Sequence, residues 1–287
     1  MSVMNVVSEG PDAQGGKAMM RPNEATGDRD LEPSTVRVAQ TAGPGRYTFR
    51  LTQAPEDIAA AQALRHRAFR ARAGGDARRG LDRDRFDALM THALIERCAD
   101  RTLAGCFRLM PFASGRDIVR SYSARSYDLA ALMRFPGAML EMGRFCIRAE
   151  LRDPDILRVA WSALAAYVER HRIGLVFGCT SFQGISVARH AAAFAQLAAR
   201  HLGPDRWRPA VKAARVVRLC AAPGPFPPDP LAAARAMPPL LRGYLAMGGW
   251  VSDHAVIDAD LDTMHVFTAL ETRKVPAARR RFLLAPA

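Results

Sequence analysis

The chain has 287 residues, 49% of them hydrophobic, and carries a net charge of +13 with a sequence pI near 10.5. That length suits one large domain or two small ones with a sizeable core, and no apolar run reaches the roughly 18–20 residues of a membrane span. The positive excess favours an anionic partner, an acidic protein or an anionic membrane surface. With 7% aromatic residues and no RNA-binding signature, zinc finger or basic zipper, no nucleic-acid partner is expected.

The first residues, MSVMNVVSEG, lack the basic start and long apolar stretch of a secretion signal, so a cytoplasmic protein is expected. The five cysteines are an odd number without C-x-x-C spacing, which fits reduced thiols and argues against a zinc site or a disulfide framework. Residues 1–45 are rich in Gly, Pro, Ser, Asp and Glu without periodicity and predict a disordered tail.

RYTFRLTQ (46–53) predicts a first strand, and Pro55 followed by Glu56 and Asp57 starts a helix. Arg65 and Phe69, four apart on that helix, share a face. The polar stretch Gly74–Asp87 predicts a loop; THALIERC (91–98) and LAGCFRLMPF (103–112) predict strands. The run AMLEMGRFCI (138–147) has the pattern of a strand apolar on both faces, yet it holds Glu141 and Arg144. Charges there are costly unless paired or used. Residues three apart on a strand point to opposite faces, but a bulge at Gly143 would bring both charges to one side. A buried Glu141–Arg144 ion pair is the competing structural account.

DPDILRVAWSALAAYVERH (153–171) predicts a helix capped by Asp153 or Asp155, followed by a strand at IGLVFGCTSF (173–182) and a second alanine-rich helix at 186–202. Strands return at 216–220 and 264–270, with a proline-rich link and a short helical piece between them. An amphipathic membrane contact around Leu231–Trp250 is one reading of that piece, but its alanines and prolines favour core packing. Helices alternating with strands around one mixed sheet give an α/β or α+β domain. Cys179 lies at a strand end where a thiol nucleophile could sit, but no histidine is placed beside it by any motif, and core packing is the preferred reading.

In chain order, Arg65-x-x-x-Phe69, Asp84-x-x-Asp87, GCFRLMP (105–111) with Arg108, and EMGRF (141–145) resemble the motif series of the acyl-homoserine-lactone synthases. The same skeleton occurs in a sister family, the ornithine N-acyltransferases that begin ornithine lipid synthesis. YSARSYDLAALM (122–133), LEMGRFCI (140–147), GLVFGCTSFQG (174–184) and PPLLRGYLAMGG (238–249) look like the second family. The resemblance covers roughly residues 46–270.

This resemblance implies an acetyltransferase-like single domain over 46–275, a mixed twisted sheet flanked by helices with a splayed central strand pair, and then a basic tail at 276–287. It implies transfer of a (3-hydroxy)acyl group from acyl carrier protein to the α-amine of L-ornithine. No resident cofactor is implied, because the donor is a 4′-phosphopantetheine thioester. A pyrophosphate-binding G-x-G-type loop is absent, and the N-terminus of the helix at 155–171 is offered for the single phosphate instead. Glu141 is then the candidate base, with Arg144 holding it or binding the substrate carboxylate. Asp84 and Asp87 are expected at the distal ammonium and Arg65 or Arg108 at the carboxylate, unless these aspartates and arginines pair with one another. Phe69 and Ser181 complete the expected substrate-binding set. The product would partition into the membrane, so peripheral contact with an anionic inner membrane is also expected. Two other functions fit: a lactone synthase using S-adenosylmethionine, and a non-catalytic basic protein that binds carrier protein or membrane.

Overall fold

The computed structural model describes residues 46–70, 80–222 and 229–284. The expected tail at 1–45 and the first part of the expected loop from Gly74 lie outside the described residues. The chain runs β1 (Tyr47–Thr52), α1 (Pro55–Arg65), a wider helical turn (His66–Arg70), β2 (Thr91–Arg97), β3 (Leu103–Phe112), β4 (Tyr127–Asp128) and β5 (Ala138–Ile147). It continues through α2 (Pro154–Arg170), β6 (Ile173–Gln183), α3 (Val187–Arg200), β7 (Ala210–Val211), β8 (Val216–Arg218), α4 (Pro230–Ala236), α5 (Pro239–Ala246), β9 (Trp250–Asp258), β10 (Thr263–Glu271) and α6 (Ala277–Leu284). Eight strands form one sheet in the order β1-β2-β3-β5-β6-β10-β9-β8, while β4 and β7 make a small ribbon.

Neighbours in the large sheet run antiparallel except β5 and β6, which are parallel and joined through α2. The helix starts where chemistry allows: the Asp153 side chain accepts from the Asp155 amide at 3.0 Å, and Pro154 sits where no donor is needed. It buries Ile156, Val159 and Leu164 on the sheet, each contributing about 1.5–3 kcal/mol. Leu140, Met142 and Val176 face this layer, and Met139, Leu175 and Phe177 face the opposite one. That alternation is why β5 and β6 look apolar throughout.

Two irregularities open the sheet. Cys106 of β3 opposes Cys146 of β5, but Arg108 opposes Gly143, so Arg144 and Phe145 together stand against Phe107. This is the expected bulge; the left-handed backbone falls on Arg144 (φ 54°) rather than on Gly143. A bulge bends its strand, and the β5–β6 pairing stops at Glu141 opposite Phe177, leaving 142–147 and 178–183 apart. At that fork Gly178 lies so close to β5 that an added Cβ would meet the Met142 carbonyl oxygen at 2.1 Å. Gly178→Ala is therefore expected to displace the fork, lowering the melting temperature by several degrees for about 1–3 kcal/mol and lowering activity by more than that loss explains. Thermal melts and turnover measured on one preparation check this.

Two elements differ from expectation. The strand β9 is broken in pattern by Ser252, Asp253 and His254, which bulge opposite Phe267. The Ser252 hydroxyl accepts from the Phe267 amide at 3.1 Å and donates to the His254 carbonyl at 2.7 Å, so these two backbone groups keep partners across the bulge. Residues 277–284, expected as tail, form α6, tied to α2 by Arg280–Glu169 at 2.7 Å. The helical piece around Leu231–Trp250 packs inward through Ala233, Leu241 and Tyr244, in agreement with the core reading. Among the described residues no helix is long and apolar enough to cross a membrane.

Candidate active site

The fork between β5 and β6 holds a cavity of about 640 Å³, a size in the range of small-molecule sites. Phe69, Glu141, Arg144 and Ser181 line it; Arg65, Asp84, Asp87 and Arg108 do not.

The four that stay outside form a network of their own. Arg65, on the last turn of α1 and 0% exposed, meets Asp82 at 3.1 Å and Asp87 at 2.8 Å. Arg108, 1% exposed, meets Asp84 at 2.7 Å and Asp87 at 2.9 Å. Arg144 closes the set on Asp82 (3.2 Å) and Asp84 (3.3 Å). Among the described residues three guanidinium groups thus meet three carboxylates, and Gln62 adds a bond to Asp87 at 2.9 Å. Burial works against ionisation at Asp84 and Asp87, but the arginines outweigh it: both carboxyls stand below the usual 3.8, Asp87 at about 2. The expected substrate roles of Arg65, Asp84, Asp87 and Arg108 give way to the mutual pairing. Charges this buried are spent on each other and order the turn before β2. Asp82 joins them although no motif marked it.

Glu141 and Arg144 do come to one side, but not as an ion pair. Glu141, 1% exposed, accepts from the amides of Tyr122 (2.8 Å) and Ser123 (2.7 Å) and from the Ser123 hydroxyl (2.6 Å). Arg144 lies against the Tyr122 ring, 5.1 Å from its centre, and turns its charge toward Asp82 and Asp84. Tyr122 therefore sits between the two, its backbone amide on the Glu141 carboxylate and its ring against the Arg144 guanidinium. Burial raises the Glu141 carboxyl above its ordinary 4.5, while hydrogen bonds from Ser123 and Tyr122 pull the other way and lose. Because Arg144 is engaged elsewhere, it does not hold this carboxyl down.

Cys179 donates to the Ser123 hydroxyl at 3.5 Å, and burial pushes its thiol up to about 12. A thiol so reluctant to ionise is no nucleophile, in agreement with the reading that it packs. Sequence patterns missed His265 on β10, which faces the cavity opposite Ser181. Its Nδ1 lies 3.2 Å from the Tyr127 hydroxyl, which donates its own proton to the His265 carbonyl at 2.7 Å. The hydroxyl can then only accept from the ring, which places the proton on Nδ1. Burial lowers the imidazole to about 4, so it is neutral near pH 7. A lone histidine in MHVFTAL carries no sequence signal for this.

The N-terminus of α2 is not a phosphate cradle. Asp153 caps it, Asp155 follows in its first turn, and both carboxylates pair with Arg46. Exposed arginines lie instead on the cavity rim, Arg189 on α3 and Arg235 on α4.

The family model for the acetyltransferase (GNAT) domain matches residues 64–162, a span from the end of α1 into α2. A solved N-acyl amino acid synthase from uncultured soil microbes aligns over 79% of this chain and 92% of its own, at 11% identity and a TM-score of 0.45. The L-ornithine N(alpha)-acyltransferase of Brucella abortus is 32% identical over 243 residues, 80% of this chain and 86% of that one. The enzyme of the same name from Rhodobacter capsulatus is 32% identical over 252 residues, 84% of this chain and 96% of the other. Identity at this level across nearly the whole of such a relative places the chain, with its sheet forked between β5 and β6, in the L-ornithine N(alpha)-acyltransferase family.

Proposed function

We propose that this acyltransferase moves a (3-hydroxy)acyl group from an acyl carrier protein thioester to the α-amine of L-ornithine, giving lyso-ornithine lipid, the first step of ornithine lipid synthesis. The observation that carries the reading is Glu141: a carboxylate in the wall of the fork cavity, with its carboxyl raised by burial and its neighbouring arginine engaged elsewhere. An ammonium with pKa near 8 or above cannot attack until it loses a proton. In this reading the pantetheine arm lies between the separated edges of β5 and β6, whose facing backbone groups have lost their strand partner. The ammonium gives one proton to Glu141 and the free amine attacks the thioester carbonyl; the C–N bond forms, the C–S bond breaks, and the second proton lost by the nitrogen neutralises the leaving thiolate. Arg144 receives the acceptor carboxylate on the exposed part of its guanidinium.

The carrier is acidic and the protein carries +13, so complementary charge favours rapid encounter. Arg189 and Arg235 on the rim are assigned to the carrier and its phosphate. Reversing both to Glu is expected to raise KM for acyl carrier protein donors about 10-fold or more at low salt, while a short acyl-pantetheine thioester reacts as before. A cytoplasmic location with peripheral contact to an anionic inner membrane follows from the product, which partitions into lipid; vesicle flotation tests it.

The acceptor is tested by giving purified enzyme one acyl carrier thioester with either L-ornithine or S-adenosylmethionine. Amide formed from ornithine supports the proposal. Product formed only from S-adenosylmethionine makes the chain a lactone synthase, and product from neither leaves the non-catalytic binding role.

A further inference from the structure

Among the described residues the cavity wall carries two carboxylates, Glu141 and Asp258. Those of Asp82, Asp84 and Asp87 lie outside it and each meets an arginine. Glu141 is held by the Tyr122 and Ser123 donors. Asp258 is different. It ends β9 opposite Thr263, half-buried, and one of its oxygens accepts from the Leu261 amide at 3.1 Å to close the turn into β10. Among the described residues no arginine, lysine or histidine forms an ion pair with it.

Its position relative to Arg144 is informative. Tyr122, Cys179 and His265 each feel Asp258 raising their pKa and Arg144 lowering it. Opposite charges therefore act from the same cavity on the same three side chains. At neutral pH those three carry no charge of their own: the phenol and thiol are raised by burial, and the imidazole is lowered to about 4. Arg144 is thus the charged neighbour the three share with Asp258, and it suits an anion. With Arg189 and Arg235 out at the exposed rim, the inner wall offers Arg144, the Asp258 carboxylate and neutral groups beside them, which matches a zwitterion that bears a second cation at its far end.

We propose that Asp258 binds the distal ammonium of the acceptor, with the acceptor carboxylate at Arg144 and the α-amine held between them beside Glu141. The inference rests on ornithine being the acceptor and assigns the residue that selects it. It replaces Asp84 and Asp87, to which the family resemblance and charge complementarity with ornithine had pointed for that role. An acceptor without a distal cation would cover the half-buried Asp258 carboxylate without supplying a counter-charge, which is how a charged cavity wall discriminates.

Asp258→Asn keeps an oxygen for the Leu261 amide and so preserves the turn. Wild type and Asp258→Asn are compared by steady-state kinetics on L-ornithine and on L-norvaline, which has the same carbon skeleton without the distal amine. For L-ornithine, kcat/KM is expected to fall roughly 10²-fold in the variant, chiefly through KM. For L-norvaline it is expected to hold or rise, and KM for the acyl donor to stay put. Equal losses on both acceptors, or an ornithine kcat/KM like wild type, overturn the assignment of Asp258 while leaving ornithine as acceptor. Wild-type enzyme that acylates no ornithine overturns the acceptor itself and Asp258 with it.

Discussion

Glu141→Gln is expected to lower turnover by roughly 10²- to 10⁴-fold, the usual worth of a positioned general base, with KM for the acyl donor little changed. The change is small in shape, but the amide nitrogen would face an amide or hydroxyl that now donates to the carboxylate. That mismatch costs about 1–3 kcal/mol, a drop of several degrees in melting temperature. The activity loss should far exceed it. A pH profile separates base from scaffold. Burial sets the Glu141 carboxyl above 4.5, so kcat at saturating acceptor should show an acidic limb above that value, and the limb should vanish in the Gln variant. The stability effect has its own sign. A carboxyl with a raised folded pKa favours the fold in its protonated form, so that contribution is present below 4.5 and lost as pH rises through the raised value. Folded Glu141→Gln with near-normal turnover would remove the base role and leave Glu141 as the anchor of Tyr122 and Ser123.

Removing one charge of the buried network should cost more stability than any other single change considered. Arg108 holds Asp84 and Asp87 at 1% exposure. Arg108→Met leaves both carboxylates short of a partner, at a cost of about 3–5 kcal/mol, or about 10 °C or more in melting temperature. Acid titration gives a second reading. Asp87 stands at about 2 against an ordinary 3.8, so its contribution is present above 3.8 and lost as pH falls through about 2. Wild type should lose stability steeply between about pH 4 and pH 2, and the variant should show a shallower loss there. An unchanged melt would mean that the network contributes little and that Arg108 is free for substrate after all.

Much of this was legible in the chain because it depends on neighbours in sequence. The strands at 103–112 and 138–147 match their apolar runs to the residue, and α2 begins at the Asp153–Pro154 pair. The bulge beside Gly143 was signalled by a glycine in a buried strand. Other features had no local signal. Asp258 lies on a strand whose pattern is interrupted by Ser252, Asp253 and His254, so the strand and the carboxylate were missed together. His265 became a neutral cavity group only through burial in the folded sheet, where Tyr127, 138 positions away, meets it. Ser123 is one serine among many until its amide and hydroxyl reach Glu141.

By itself the sequence determined which residues could carry charge chemistry, the order of the motifs and the family they resemble. These follow from residue type and spacing, which folding does not alter. Tertiary structure decided which charges are spent and which are left. Arg65, Arg108, Asp84 and Asp87 neutralise one another because burial makes an unpaired charge too costly. Arg144 joins them through a bulge that turns it away from Glu141, and Glu141 and Asp258 remain as the carboxylates facing the cavity. Spacing along a chain cannot show that division, since each pairing depends on how close distant segments are brought in water-poor surroundings.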